Sequence, residues 1–206
     1  MLPRIALLLS ALAAAPVLAQ VPAPAPTEAQ APKEDLVPVA IDTSLGRIVV
    51  ALDRGRAPIT TANFLRYVDA HRLDGETFYR AMHSGGGGLI QGGVRSDTRK
   101  LYPPVADEPT SKTGLKNVAG AISMARGAPN SVQADFFILV SDMPSLDAGA
   151  NSADPDGFPV FGHVTNGMDV VKKIFEAPVS ATRGEGVMKG QMLDPPVKII
   201  KAARVK

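Results

Sequence analysis

Two segments of this chain combine residue types that could line a binding groove. One is Phe78-Tyr79-Arg80, followed after a run of glycines by Leu89-Ile90-Gln91-Gly92-Gly93. The other is Gly120-Ala121-Ile122-Ser123-Met124-Ala125-Arg126, continuing to Phe136-Phe137-Ile138. An arginine, a glutamine and apolar side chains on neighbouring strands would make a shallow groove with one polar wall. Such a groove has no acid, base or nucleophile for covalent chemistry. It suits binding, or a reaction that leaves every bond intact. Spacing alone favours an arginine in a surface salt bridge of little worth, and is also met by Phe137 and Met124 as plain core residues.

Other chemistries find less support. The histidines are His71, His83 and His163, and no two stand at the spacing of a metal-binding pair. No metal or other cofactor is expected. There is no cysteine, which excludes disulfides, thiolate nucleophiles and Cys-ligated zinc. No G-x-S-x-G elbow occurs. Gly85 to Gly88 lacks the Lys-Ser/Thr and the helix that would make a phosphate loop, and reads as a flexible loop between strands. A net charge of +2 over 206 residues gives no broad footprint for nucleic acid or anionic lipid.

The elements that would position these residues can be read from the start of the chain. Arg4, the apolar run Ile5 to Ala15 and the small residue Ala19 form a signal peptide over residues 1–19. The run is short for a membrane span, and the reading implies a periplasmic or secreted protein with no stable membrane insertion. Residues 20–36, rich in Pro, Ala, Gln and Glu, form a linker unable to bury enough apolar surface to offset its ordering entropy. The folded domain spans 37–206. Val39 and Ile41, a turn at 43–46, and Ile48 to Leu52 predict a hairpin. Pro58, then Phe64, Tyr67, Val68 and His71, predict an amphipathic helix. Apolar runs at 89–90, 121–124, 136–140, 160–164 and 197–200 predict strands. Met168, Val171, Ile174 and Phe175 predict a second helix that Pro178 stops. Two helices among many short strands without an internal repeat suggest a closed or nearly closed barrel.

The strings FYR, QGG, GAISMAR, DFFI and VFGHV, in this order, resemble the cyclophilin family over about residues 38 to 205. The resemblance implies a mainly β fold: an eight-stranded antiparallel closed barrel capped by two α-helices, with its active groove on the outer face. It also implies a peptidyl-prolyl cis-trans isomerase acting on proline-containing polypeptides, and nothing in the sequence suggests more than a monomer. Matched position by position, Arg80 takes the catalytic arginine place and Gln91 the groove glutamine. Phe78, Met124, Ala125 and Arg126 fall among the substrate-binding residues. Leu89, Phe137, Leu146 and Phe158 would enclose the proline ring.

The chain departs from the family pattern at several places. Gly88 and Leu89 stand where an aromatic and a methionine are usual, and the Arg80 to Gln91 interval is about three residues longer. Asp135 replaces a glutamine, Ser145 a tryptophan, and Phe158 the histidine of many eukaryotic members. Gly88 and Asp135 keep open a second reading, a non-catalytic proline-peptide-binding module of the same fold. A secreted hydrolase on a barrel scaffold is a third, with few residues in its favour.

Overall fold

The computed structural model describes residues 34–205. The expected signal peptide, and the linker up to residue 33, lie outside the described residues. The strands are β1 (Leu36–Thr43), β2 (Gly46–Asp53), β3 (Thr77–Ser84), β4 (Gly87–Gly93), β5 (Ala121–Met124), β6 (Phe136–Leu139), β7 (Val160–Asn166), β8 (Val179–Ser180) and β9 (Met192–Arg204). The helices are α1 (Pro58–Asp69), the single turn α2 (Thr110–Thr113) and α3 (Met168–Phe175). All pairings are antiparallel, in the order β1-β2-β7-β5-β6-β4-β3-β9-β8, and β9 also pairs with β1. Eight strands therefore close into a barrel, and β8 is an added two-residue strand on β9. Beyond the two helices expected, the fold contains the short α2.

Strand alternation fills the barrel. Val39, Ile41, Ile48, Val50, Leu52, Ile90, Ile122, Ile138 and Phe161 point inward and are fully buried. Phe136 lies among them, edge-on to Phe64 of α1 at 5.2 Å and to Phe78 at 5.5 Å. Such perpendicular pairs add to the burial of the rings themselves. Helix α1 begins at a proline whose missing N–H costs nothing there. The buried Glu108 carboxylate accepts from the Thr60 backbone N–H (2.7 Å) and hydroxyl (2.8 Å), a cap supplied from 48 residues away. Helix α1 ends at Asp69, and His71 lies beyond it at φ 54°, in a turn rather than on the helix face expected.

The glycine run also differs from its expected form. It is a tight hairpin, not a flexible loop. Ser84 pairs with Gly87, so Gly85 and Gly86 form a two-residue turn with φ of 56° and 85°. Two positive φ values in succession suit glycine and match the twist of the flanking strands. Gly87 and Gly88 already belong to β4. A Cβ on Gly88 would lie 1.8 Å from the Met82 carbonyl oxygen, so the close approach of β3 to β4 demands glycine there.

At the start of the described chain, Asp35 bonds Arg54 through both its backbone carbonyl and its carboxylate, and Glu34 pairs with Arg56. Among the described residues no helix is long and apolar enough to cross a membrane.

Candidate active site

The outer face of β3, β4, β5 and β6 carries a second, smaller apolar cluster. On β6, Phe136 and Ile138 face the barrel interior, while Phe137 and Leu139 face out. On β4, Ile90 faces in, and Leu89 and Gln91 face out beside them. The 3-10 turn Pro144–Leu146 places Leu146 over this cluster, and the Phe158 N–H donates to the Leu146 carbonyl at 2.9 Å. The Phe158 ring stands nearly perpendicular to Phe137, with centroids 5.6 Å apart. Together these residues enclose a mostly apolar hollow of about 270 Å³, lined also by Arg80, Met82, Ala125, Arg126, Val187 and Met188.

A β-bulge delivers Arg80 to this hollow. Phe78 pairs with Gly92, yet Arg80 pairs with Gln91, so the register slips by one residue at Tyr79. In an unbroken strand Phe78 and Arg80, two apart, would share a face. The bulge separates them: Phe78 packs inside the barrel, and Tyr79 and Arg80 both face out. The guanidinium Nη1 donates to Gln91 Oε1 at 2.8 Å. Nε and Nη2 both donate to Gln191 Oε1, at 2.8 and 2.7 Å. Its partners are thus neutral amides, and it makes no ion pair among the described residues. Burial pulls its pKa below the ordinary arginine value, but a guanidinium stays protonated at any working pH.

Arg126 lines the hollow with its stem, and its charge is already matched. Its side chain is 1% exposed. Nη2 lies 2.7 Å from Asp154 Oδ1 and also donates to the Gly157 carbonyl. Nε lies 2.8 Å from Asp107 Oδ2, a charge contact poorly aligned for a hydrogen bond. The guanidinium carbon sits 5.6 Å from the Phe158 ring centroid.

The structure therefore gathers Arg80, Leu89, Gln91, Ala125, Arg126, Phe137, Leu146 and Phe158 around one hollow. It does not bring Phe78 or Met124 there. Both are 0% exposed and pack in the barrel interior. For Phe78 the cause is the bulge. For Met124, the last residue of β5, it is simple alternation: adjacent residues cannot both face the groove, and Ala125, the next residue, does. The residues not foreseen are Met82, Val187, Met188 and Gln191. Met82 follows Arg80 at strand spacing and pairs with Leu89, a signal the sequence did contain. The other three come from the loop before β9, whose sequence carries no sign of the hollow.

Beside the apolar hollow lies a more polar one of about 470 Å³, lined by Tyr79, Arg95, Gln133 and Asp135 among others, and sharing Gln91, Ala125, Arg126 and Met188 with it. Asp135 Oδ2 accepts from the Tyr79 hydroxyl at 2.7 Å. Burial pushes the Asp135 carboxyl above the ordinary range. Arg95 lies 4.5 Å over the Tyr79 ring.

Comparison with known proteins agrees with this geometry. The profile of the family described as cyclophilin type peptidyl-prolyl cis-trans isomerase/CLD matches residues 38–204. Peptidyl-prolyl cis-trans isomerase A of Dickeya dadantii is 36% identical over 171 residues, covering 81% of this chain and 83% of that protein. The corresponding isomerase of Acinetobacter baylyi is 37% identical, covering 79% of this chain and 82% of its own length. A cyclophilin-type isomerase of Cryptosporidium parvum shares the fold with a TM-score of 0.68 at 22% identity, covering 84% of this chain and 99% of that one. The same protein, crystallised in the presence of the dipeptide Ala-Pro, gives a TM-score of 0.65 at 21% identity, covering 82% and 99%.

Proposed function

We propose that this chain, which belongs to the cyclophilin-type peptidyl-prolyl cis-trans isomerase family, turns X-Pro bonds by holding the proline ring in the apolar hollow and offering the Arg80 guanidinium to the twisting amide. The barrier to be lowered is about 18–20 kcal/mol, from the partial double bond, and uncatalysed exchange takes tens to hundreds of seconds. An acceleration of about five powers of ten needs roughly 7 kcal/mol of selective stabilisation. No bond need break.

Leu89, Phe137, Leu146 and Phe158 grip the ring while the preceding residue rotates with its carbonyl. As the bond twists, conjugation is lost, and the amide nitrogen becomes pyramidal and gains a lone pair. A planar amide nitrogen offers none, so a donor aimed there stabilises the transition state more than the ground state. One observation carries this reading. Arg80 is fixed by neutral oxygens, and three of the five N–H bonds of a guanidinium are engaged. Two donors and an undiminished charge remain. Gln91, held by the same guanidinium, fixes the substrate chain.

The substrates are proline-containing segments of unfolded or partly folded exported proteins, met in the periplasm or outside the cell. The sequence of residues 1–19 supports that location, and N-terminal sequencing of the mature protein tests it. The domain works as a monomer, a reading supported by closure of β1 onto β9, which leaves only the two-residue β8 as an edge at which a copy could add. The buried Asp135 favours the one competing reading, binding without turnover. Exchange spectroscopy on an Ala-Pro peptide decides between them. Faster cis-trans exchange at substoichiometric protein is the expected result. Peptide shifts that titrate without faster exchange would make the domain a binding module.

A further inference from the structure

The loop between β8 and β9 reaches the site from 111 residues along the chain and takes hold of Arg80. Its contact residue is Gln191, whose backbone and side chain are both committed. The Gln191 carbonyl accepts from the Ala81 N–H at 3.0 Å, seating the residue against β3 next to Arg80. Oε1 accepts from both Nε and Nη2 of Arg80. Nε2 donates to the Val187 carbonyl at 2.8 Å. The loop is closed behind it by the Gly190 N–H bonding the Arg183 carbonyl at 2.9 Å. Its tip carries Val187, 84% exposed, and Met188 to the rim of the hollow.

A glutamine suits these demands together. Its oxygen has two lone pairs for the forked guanidinium edge, and its NH2 group ties the side chain to the loop. A carboxylate would accept the same hydrogen bonds but would neutralise the cation and face the Val187 carbonyl without a donor. A hydrocarbon would leave Arg80 held by Gln91 alone.

We propose that Gln191 is a positioning residue, acting through Arg80: it fixes the guanidinium plane while leaving its charge unpaired, so that the loop of residues 181–191 sets the turnover of the site. This rests on the reading of Arg80 given above. Misplacing an oriented catalytic group costs roughly ten- to a hundredfold in rate, and the loss belongs in kcat, because proline binding lies with the apolar wall.

The test is a double-mutant cycle in an Ala-Pro peptide exchange assay, with Gln191→Met, Gln191→Glu, Arg80→Ala and the pair Gln191→Met/Arg80→Ala. The expected result is a kcat fall of about tenfold or more for Gln191→Met, with KM and melting temperature near those of the parent. Gln191→Glu should fall at least as far, although it keeps the hydrogen-bond acceptor. In the Arg80→Ala background Gln191→Met should change nothing further. If Gln191→Met turned over normally while Arg80→Ala did not, the positioning role would be overturned and the reading of Arg80 would stand. Equal losses from Gln191→Met in both backgrounds would also overturn it, assigning the effect to the loop's own contact with the peptide. Full activity in Arg80→Ala would instead remove the reading on which the proposal rests.

Discussion

Arg80 and Arg126 line the same hollow, and they differ in what holds them. Arg80 is gripped by two glutamine oxygens. Arg126 is gripped by two aspartates and a carbonyl. A neutral acceptor fixes direction and leaves the positive charge to act on something else. A carboxylate fixes direction and consumes the charge. The first arrangement suits a group that must meet charge developing elsewhere. The second suits an anchor, and Arg126 anchors the stretch from Asp154 to Phe158, whose last residue walls the hollow. Residue type alone does not distinguish these roles; the partners do.

The contrast predicts opposite losses from the two arginines. Arg80→Ala should lower kcat/KM by about 10²–10³, the usual cost of one preorganised donor, with little change in melting temperature. Arg126→Met should do the reverse. It leaves Asp107, 3% exposed, as a buried carboxylate without its cation, which costs roughly 3–5 kcal/mol. Turnover of the molecules that remain folded should fall less than for Arg80→Ala, with KM raised because Phe158 loses its support. Paired thermal melts and peptide kinetics check both. If Arg126→Met matched Arg80→Ala in kcat while melting normally, the division of labour would fail.

A smaller effect tests the anchor directly. Replacing Asp107 by Asn together with Arg126→Met removes the stranded charge along with its partner. The double variant should recover about 1–3 kcal/mol of what the single one loses, since a buried group without its partner is the expensive state. Denaturant titration at neutral pH reads this. No recovery would mean that Asp154, not Asp107, is the partner that matters.

Much of this was legible because strands alternate. Leu89 and Gln91 fall on one face with Ile90 on the other, and Phe137 falls opposite Phe136, once the strands are recognised, and the apolar hollow follows. Alternation also exposes the two misplaced residues. Met124 ends β5 and Ala125 follows it directly, so the two cannot both face outward. Phe78, which the family resemblance places among the substrate-binding residues, is two from Arg80 and would share its face but for the bulge at Tyr79. A bulge is one extra residue with no composition signal in this segment. The glycine run conceals its form for a similar reason, since a tight turn and a loose loop use the same residue. Gln191 is a different case. Its meeting with Arg80 depends on closure of the barrel by β9, a pairing between distant segments that no local pattern encodes.

The weakest expected effect approaches the comparison from the carboxylate side. Asp135 is buried like Asp107, but its close partner is the Tyr79 hydroxyl, a neutral hydrogen-bond donor, rather than a guanidinium charge. Burial is the largest influence on it and raises its pKa above the ordinary 3.8; the Tyr79 bond and Arg95 oppose this in part. A raised carboxyl pKa means that the folded state holds the proton more tightly than the unfolded chain. Its contribution to stability is therefore complete below the ordinary value and is lost as pH rises through the raised one. Asp135→Asn keeps an acceptor for Tyr79 and removes the buried charge. The variant should be more stable than the parent at neutral pH, by about 1 kcal/mol or less, or roughly 2–4 °C in a chain of this size. The advantage should shrink on acidification toward the ordinary aspartate range. Melts across that range check the sign. A variant less stable at neutral pH would show that Tyr79 and Arg95 repay the burial of this carboxylate, and that a hydroxyl can do for Asp135 what the guanidinium does for Asp107.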